Sequence, residues 1–121
     1  RLDVILTVST HNPFRVNDQE RYNKLFENQL QRLNLSAEQQ TQRQNFKEEF
    51  ATVLYADASL KRLFERYRKR TDYDNTIFVI TGDHRIPEIP LSTKIDRYHV
   101  PLIIYSPLLQ KTKERQRDTR E

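Results

Sequence analysis

Three side chains in this sequence could act on a charged substrate if the fold brings them to one edge: His11, Asp83 and His84. Asp83 offers a carboxylate oxygen and His84 an imidazole nitrogen, the donor types that a divalent metal takes from a protein without thiolates. There is no Cys in the chain, so a thiolate nucleophile is excluded and any metal must use oxygen and nitrogen. An isolated Asp-His pair is a weak signal. This pair directly follows an apolar run, residues 76–81, with Gly82 expected to allow a sharp turn. His11 likewise follows the apolar run 2–8 after Ser9 and Thr10. Ligands of open α/β sheets collect beyond the carboxyl ends of strands, so both runs are expected to deliver polar groups to that edge.

Two ligands are too few for a catalytic metal. Zinc takes about three protein ligands, and magnesium or manganese needs still more oxygen donors. The rest are expected from outside this chain. Glu88, between Pro87 and Pro90, and His99, ahead of the last apolar run, rank below Asp83 and His84. The hydroxyls of Ser9, Thr10 and Thr81 lie near the same edge, but no pattern around them points to an activated nucleophile.

The elements that must position these groups follow from periodicity. Residues 2–8 are short, β-branched and almost wholly apolar, which predicts a strand buried on both faces, stopped before Pro13. Across residues 17–35, Tyr22, Leu25, Phe26, Leu30 and Leu33 recur at helical spacing. Ser36-Ala37-Glu38-Gln39 has the capping-box pattern, so a further helix is predicted to begin at Ala37. Phe46, Phe50, Val53, Leu54, Leu60, Phe64 and Tyr67 form one stripe, the mark of a long amphipathic helix. Asp57 falls within that stripe and is expected to need a hydrogen-bond partner, in a structural role. After turn residues at 71–75 come two more strand-like runs, 76–81 and 100–105. Strand, helices, strand, connector, strand predicts an α/β fold: part of a largely parallel sheet covered by helices.

At 121 residues the chain bounds a single domain or a piece of one. One Gly against five Pro is unusual for a free-standing domain, and a fragment over residues 1–110 is one explanation, with 111–121 a polar tail free of apolar residues. The net charge of +4 favours anionic partners. Lys61, Arg62, Arg66, Arg68, Lys69 and Arg70 crowd one helix end, yet Glu48, Glu49 and Glu65 are interspersed and a helix dipole favours cations there. A solvated helix end therefore ranks well above a nucleic-acid surface. No segment reads as a bilayer span or a signal peptide.

Three ordered blocks carry a resemblance: Tyr55-Ala56-Asp57-Ala58-Ser59-Leu60, then residues 73–84 (Tyr-Asp-Asn-Thr-Ile-Phe-Val-Ile-Thr-Gly-Asp-His), then residues 99–107 (His-Val-Pro-Leu-Ile-Ile-Tyr-Ser-Pro). Together they resemble the later half of catalytic domains of the alkaline phosphatase/sulfatase superfamily, most of all the lipoteichoic acid synthase-like phosphoglycerol transferases. His11-Asn12-Pro13-Phe14 is similar to the His-x-Pro-Phe segment of that branch. The resemblance implies that Asp83 and His84 bind a divalent metal, manganese or magnesium before zinc or calcium, and that His11 contacts the substrate. Arg85 stands where the family commonly has Gly or a short residue, and is expected either to meet an anionic group or to lie exposed.

The family's nucleophile, a Thr in the transferases or a formylglycine in sulfatases, lies upstream of the matched blocks, so the resemblance implies no catalytic nucleophile here and a chain inactive alone. It further implies an anionic ester substrate, a missing N-terminal part of the domain as partner, and a membrane-anchored parent with its catalytic domain on the extracytoplasmic side. Apolar surface left uncovered is expected to drive self-association. Phosphoglycerol transfer ranks first, sulfate-ester hydrolysis second, and a non-catalytic module holding an anionic polymer third.

Overall fold

Ser36 starts a helix as its local sequence predicts. Its hydroxyl accepts from the Gln39 N–H at 3.2 Å, while the Gln39 side-chain oxygen accepts from the Ser36 N–H at 3.1 Å. These two bonds satisfy main-chain groups that the first turn otherwise leaves unpaired. The computed structural model describes residues 1–90, 93–110 and 112. Its elements run α1 (Gln19–Arg32), α2 (Ala37–Gln44), α3 (Lys47–Tyr67), β1 (Phe78–Thr81) and β2 (Leu102–Tyr105), with 3-10 turns at Tyr73–Asn75 and Ile95–Tyr98. The chain divides into two compact units.

The first unit comprises Arg1–Arg62 and Ile86–Pro90. Its core comes from the four-residue spacing of Tyr22, Phe26 and Leu30, which puts all three on one buried face of α1. Tyr22 meets Tyr55 edge-on at 5.3 Å between centroids, and Phe26 stacks on Phe50 at 5.4 Å. Such pairs add about 0.5–1.5 kcal/mol each beyond area burial. Ala51 and Thr52 are fully buried beneath them, and the Thr52 hydroxyl donates to the Glu49 carbonyl at 2.7 Å. Lys47 donates to Glu27 at 2.7 Å, a partly exposed pair whose contribution is no more than about 1 kcal/mol.

The second unit holds Leu63–Arg85 and the described residues after 91. Phe78 is its hub, with ring centroids of Phe64 at 4.8 Å, Tyr67 at 5.1 Å, and Tyr73 and Tyr105 at 6.0 Å each. The last turns of α3 thus pack against one face of the β1–β2 pair. The Tyr73 and Tyr105 hydroxyls are 2.9 Å apart. Tyr105's hydrogen bond, with the Arg68 guanidinium behind it, holds the Tyr73 phenol below its usual value, and the same contact raises Tyr105. Arg70 binds Asp72 through two bonds of 2.8 Å and lies over the Tyr67 ring.

Several expectations need correction. Residues 2–8 form no strand, and Leu2, Val4, Ile5, Leu6 and Val8 are exposed. A strand exists only where a neighbour takes its main-chain bonds, and none does so among the described residues. The one sheet seen among them is an antiparallel pair, Phe78 opposite Tyr105 through Thr81 opposite Leu102, so the predicted parallel sheet is not formed here. A parallel connection ordinarily uses a crossover helix, whereas only a 3-10 turn lies between β1 and β2 among the described residues. Asp57 is exposed and needs no buried partner, because it sits one turn beyond Val53, itself 42% exposed, on the solvent side of α3. Apart from Thr112, the predicted tail at 111–121 lies outside the described residues.

Candidate metal centre

The end of β1 presents Asp83 and His84 to solvent in the second unit. Their side chains are 87% and 55% exposed. Asp83 folds back on the main chain, its Oδ1 accepting from the His84 N–H at 2.9 Å, which leaves Oδ2 directed elsewhere. That second oxygen stands 3.7 Å from His84 Nε2. The other ring nitrogen, Nδ1, is 2.6 Å from the Arg85 carbonyl oxygen. A carbonyl can only accept, so this bond places the proton on Nδ1 and leaves the Nε2 lone pair of the neutral ring free.

Asp83 Oδ2 and His84 Nε2 are donor types that a divalent cation takes. Two neighbouring donors at about 2.1 Å stand about 3.0 Å apart on an octahedral ion and about 3.4 Å on a tetrahedral one, so Oδ2 and Nε2, 3.7 Å apart, must close by a few tenths of an ångström to share one. Among the described residues no three His, Asp or Glu side chains gather where one ion could be held, so neither Glu88 nor His99 joins the pair. The role of the Arg85 carbonyl had no signal in the sequence, because any residue type at position 85 carries the same oxygen.

Gly82 serves a different purpose from the one expected. Its φ is not positive, so the turn does not require glycine. A Cβ at that position would instead lie 3.4 Å from the Val100 Cβ and 3.5 Å from the Pro101 Cδ. Gly82→Ala should therefore change stability by less than about 1 kcal/mol, whereas Gly82→Leu should cost about 1–3 kcal/mol through overpacking. Chemical denaturation of the two variants checks this, and equal effects would contradict the close-approach role.

His11 belongs to the first unit, in a turn closed by the Phe14 N–H donating to the His11 carbonyl at 2.8 Å. Phe14 is buried with φ 53°, a left-handed conformation that costs a bulky residue strain and that ring burial offsets. The Asn12–Pro13 peptide is cis. His11 itself is exposed, and its Nδ1 is tied to the Asn12 carbonyl at 3.0 Å, so Nε2 is again the outward ring atom. The strand edge expected to carry His11 is not formed, because residues 2–8 form no strand among the described residues. Arg85 is half-buried. Among the described residues no helix is long and apolar enough to cross a membrane.

Comparison with known proteins gives one family. The family model described as Sulfatase matches residues 2–120. No match was found among curated proteins or among solved structures.

Proposed function

We propose, from the fact that this chain belongs to the sulfatase family, that it is the carboxyl-terminal part of a metal-dependent catalytic domain acting on phosphate or sulfate esters, and that the reaction is phosphoglycerol transfer. The observation carrying the reading is the paired presentation of Asp83 Oδ2 and His84 Nε2 at 3.7 Å, with the His84 tautomer set by a main-chain oxygen. These two residues would hold a divalent ion, manganese or magnesium first, with further donors from polypeptide upstream. A bound ion would supply a Lewis acid that draws charge from an ester oxygen.

The chain's own residues do the remaining work. Asp83 contributes the negative charge that balances a dication, and its bond to the His84 N–H fixes the carboxylate plane. His11 presents Nε2 to the substrate: protonated, it donates to a non-bridging oxygen or to the departing alkoxide. Arg85 is placed beside the pair by sequence and supplies positive charge near an anionic ester. The attacking hydroxyl comes from upstream, and the parent is held at the extracytoplasmic face of a membrane.

Sulfate-ester hydrolysis is the second reading, favoured by the description of the matching family. A purely anion-binding module is less favoured, since Arg68 and Arg70 on the basic helix end are already engaged by Tyr73 and Asp72. The test is an assay of the full-length protein with a phosphoglycerol ester and an aryl sulfate, each with and without manganese. Manganese-dependent release from the phosphoglycerol ester is expected. Faster turnover of the sulfate would give the second reading precedence, and turnover of neither would overturn both.

A further inference from the structure

We infer that Phe14 is a positioning residue for His11, holding the turn from which the imidazole reaches the substrate. The inference rests on the role proposed above for His11, and its test separates the two. Phe14 combines two properties that oppose each other: its side chain is buried, at 6% exposure, and its φ is 53°. A turn that needed only the left-handed conformation would be served by glycine, which adopts it at no steric cost. A core that needed only an aromatic ring would be served at an ordinary negative φ. A bulky residue in this region costs energy, persists only where its surroundings over-determine it, and is found most often at functional sites.

The neighbours of Phe14 identify what is held. From His11 to Arg15 only Phe14 is buried, while His11, Asn12, Pro13 and Arg15 are exposed. The Phe14 N–H donates to the His11 carbonyl at 2.8 Å, so the one anchored residue of the turn grips the main chain of His11 itself. The imidazole is tied to the same turn, its Nδ1 3.0 Å from the Asn12 carbonyl oxygen. A carbonyl only accepts, so the proton sits on Nδ1 and Nε2 is left to meet the substrate. Burial of the Phe14 ring therefore fixes the turn, and the turn fixes where Nε2 stands.

The two properties make different demands on a replacement. Leucine keeps a buried apolar anchor, and its fit alone is poorer. Glycine loses the anchor but tolerates the left-handed backbone, so the turn stays accessible. Alanine loses the anchor and also disfavours that backbone, so the residue relaxes toward negative φ and the bond to the His11 carbonyl breaks. Turnover should therefore fall in the order leucine, glycine, alanine. A side chain that only filled a core would give the opposite order for the last two, because glycine buries less than alanine and loosens the chain more.

Steady-state kinetics of the full-length enzyme, on the ester it turns over, test this in the parent and His11→Gln backgrounds. In the parent background kcat should drop about threefold for Phe14→Leu, about tenfold for Phe14→Gly and about 100-fold for Phe14→Ala, the last being the scale of a 1 Å misplacement. All three losses should vanish in the His11→Gln background, because the effect passes through the imidazole. Phe26→Leu makes the same exchange at a position 7% exposed on α1 and should leave kcat unchanged. Where Phe14→Ala or Phe14→Gly fails to fold, Phe14→Leu with and without His11→Gln decides. Losses that persist in full without His11, alanine outperforming glycine, full turnover in Phe14→Leu, or an equal loss in Phe26→Leu would each overturn the positioning role and leave that of His11 standing. Undiminished turnover in His11→Gln alone would overturn both.

Discussion

Asp83→Ala and His84→Ala should each lower turnover of the full-length enzyme by on the order of 10³-fold, the scale on which one preorganised charge-stabilising group acts, and should remove the bound metal with it. The expectation follows from arrangement rather than residue type. Asp83 Oδ2 and His84 Nε2 are held 3.7 Å apart by bonds that use their other polar atoms, so loss of either side chain leaves one donor unaccompanied. Both side chains are more than half exposed, so truncation leaves no cavity and the fold should survive, which circular dichroism verifies. Arg85→Ala is the informative control. It keeps the carbonyl that sets the His84 tautomer, so metal content should persist even where substrate binding weakens. Unchanged metal stoichiometry in the Asp83 and His84 variants would contradict the assignment.

Phe78→Ala should destabilise the second unit by about 2–4 kcal/mol, somewhat below the range for a fully buried ring because Phe78 is half-buried. Four aromatic rings lie within 6.0 Å of it, centroid to centroid, from three stretches of sequence: α3, the 3-10 turn and β2. Removing that ring leaves the edge-on Phe64–Tyr105 contact, 5.6 Å between centroids, as the remaining aromatic pair holding the β1–β2 pair on α3, and β1 is what delivers Gly82, Asp83 and His84. Hydrogen exchange should therefore accelerate at β1 and β2 amides while α1 amides, packed through Tyr22, Phe26 and Leu30, keep their protection. Ile77→Ala, at a position 65% exposed, should cost less than about 0.5 kcal/mol. Loss of protection in α1 as large as that in β1, or no loss anywhere, would show that Phe78 is not the hub of this unit.

How far the sequence could be read depended on whether a signal was local. The Ser36–Gln39 capping box and the stripe from Phe46 to Tyr67 specify helices within a few residues, and α2 and α3 begin within a residue of the expected positions. Strand runs depend on distant neighbours. Residues 76–81 and 100–105 found each other and formed β1 and β2, while residues 2–8, equally apolar, found no ladder among the described residues. Pairing direction is not written in either run, and among the described residues the pair they form is antiparallel.

Side-chain surroundings were legible only in part. Asp57 shares the helical spacing of the apolar residues, but spacing does not say which way a broad stripe rolls, and its side faces solvent. Gly82 was noticeable as the single glycine, yet its reason, the closeness of Val100 and Pro101, lies some eighteen residues away in sequence. That Asp83 and His84 stand side by side was readable because they are adjacent in sequence. The Arg85 carbonyl that orients His84 was not.

The most direct measurement is a manganese titration of the chain followed by nuclear magnetic resonance, since a paramagnetic ion broadens the signals of the groups that hold it. Broadening should appear first and strongest at Asp83 and the His84 ring, with His84→Ala abolishing the preference. Broadening no stronger there than at the exposed Glu38 and Glu48 carboxylates would contradict a shared cation site at the end of β1.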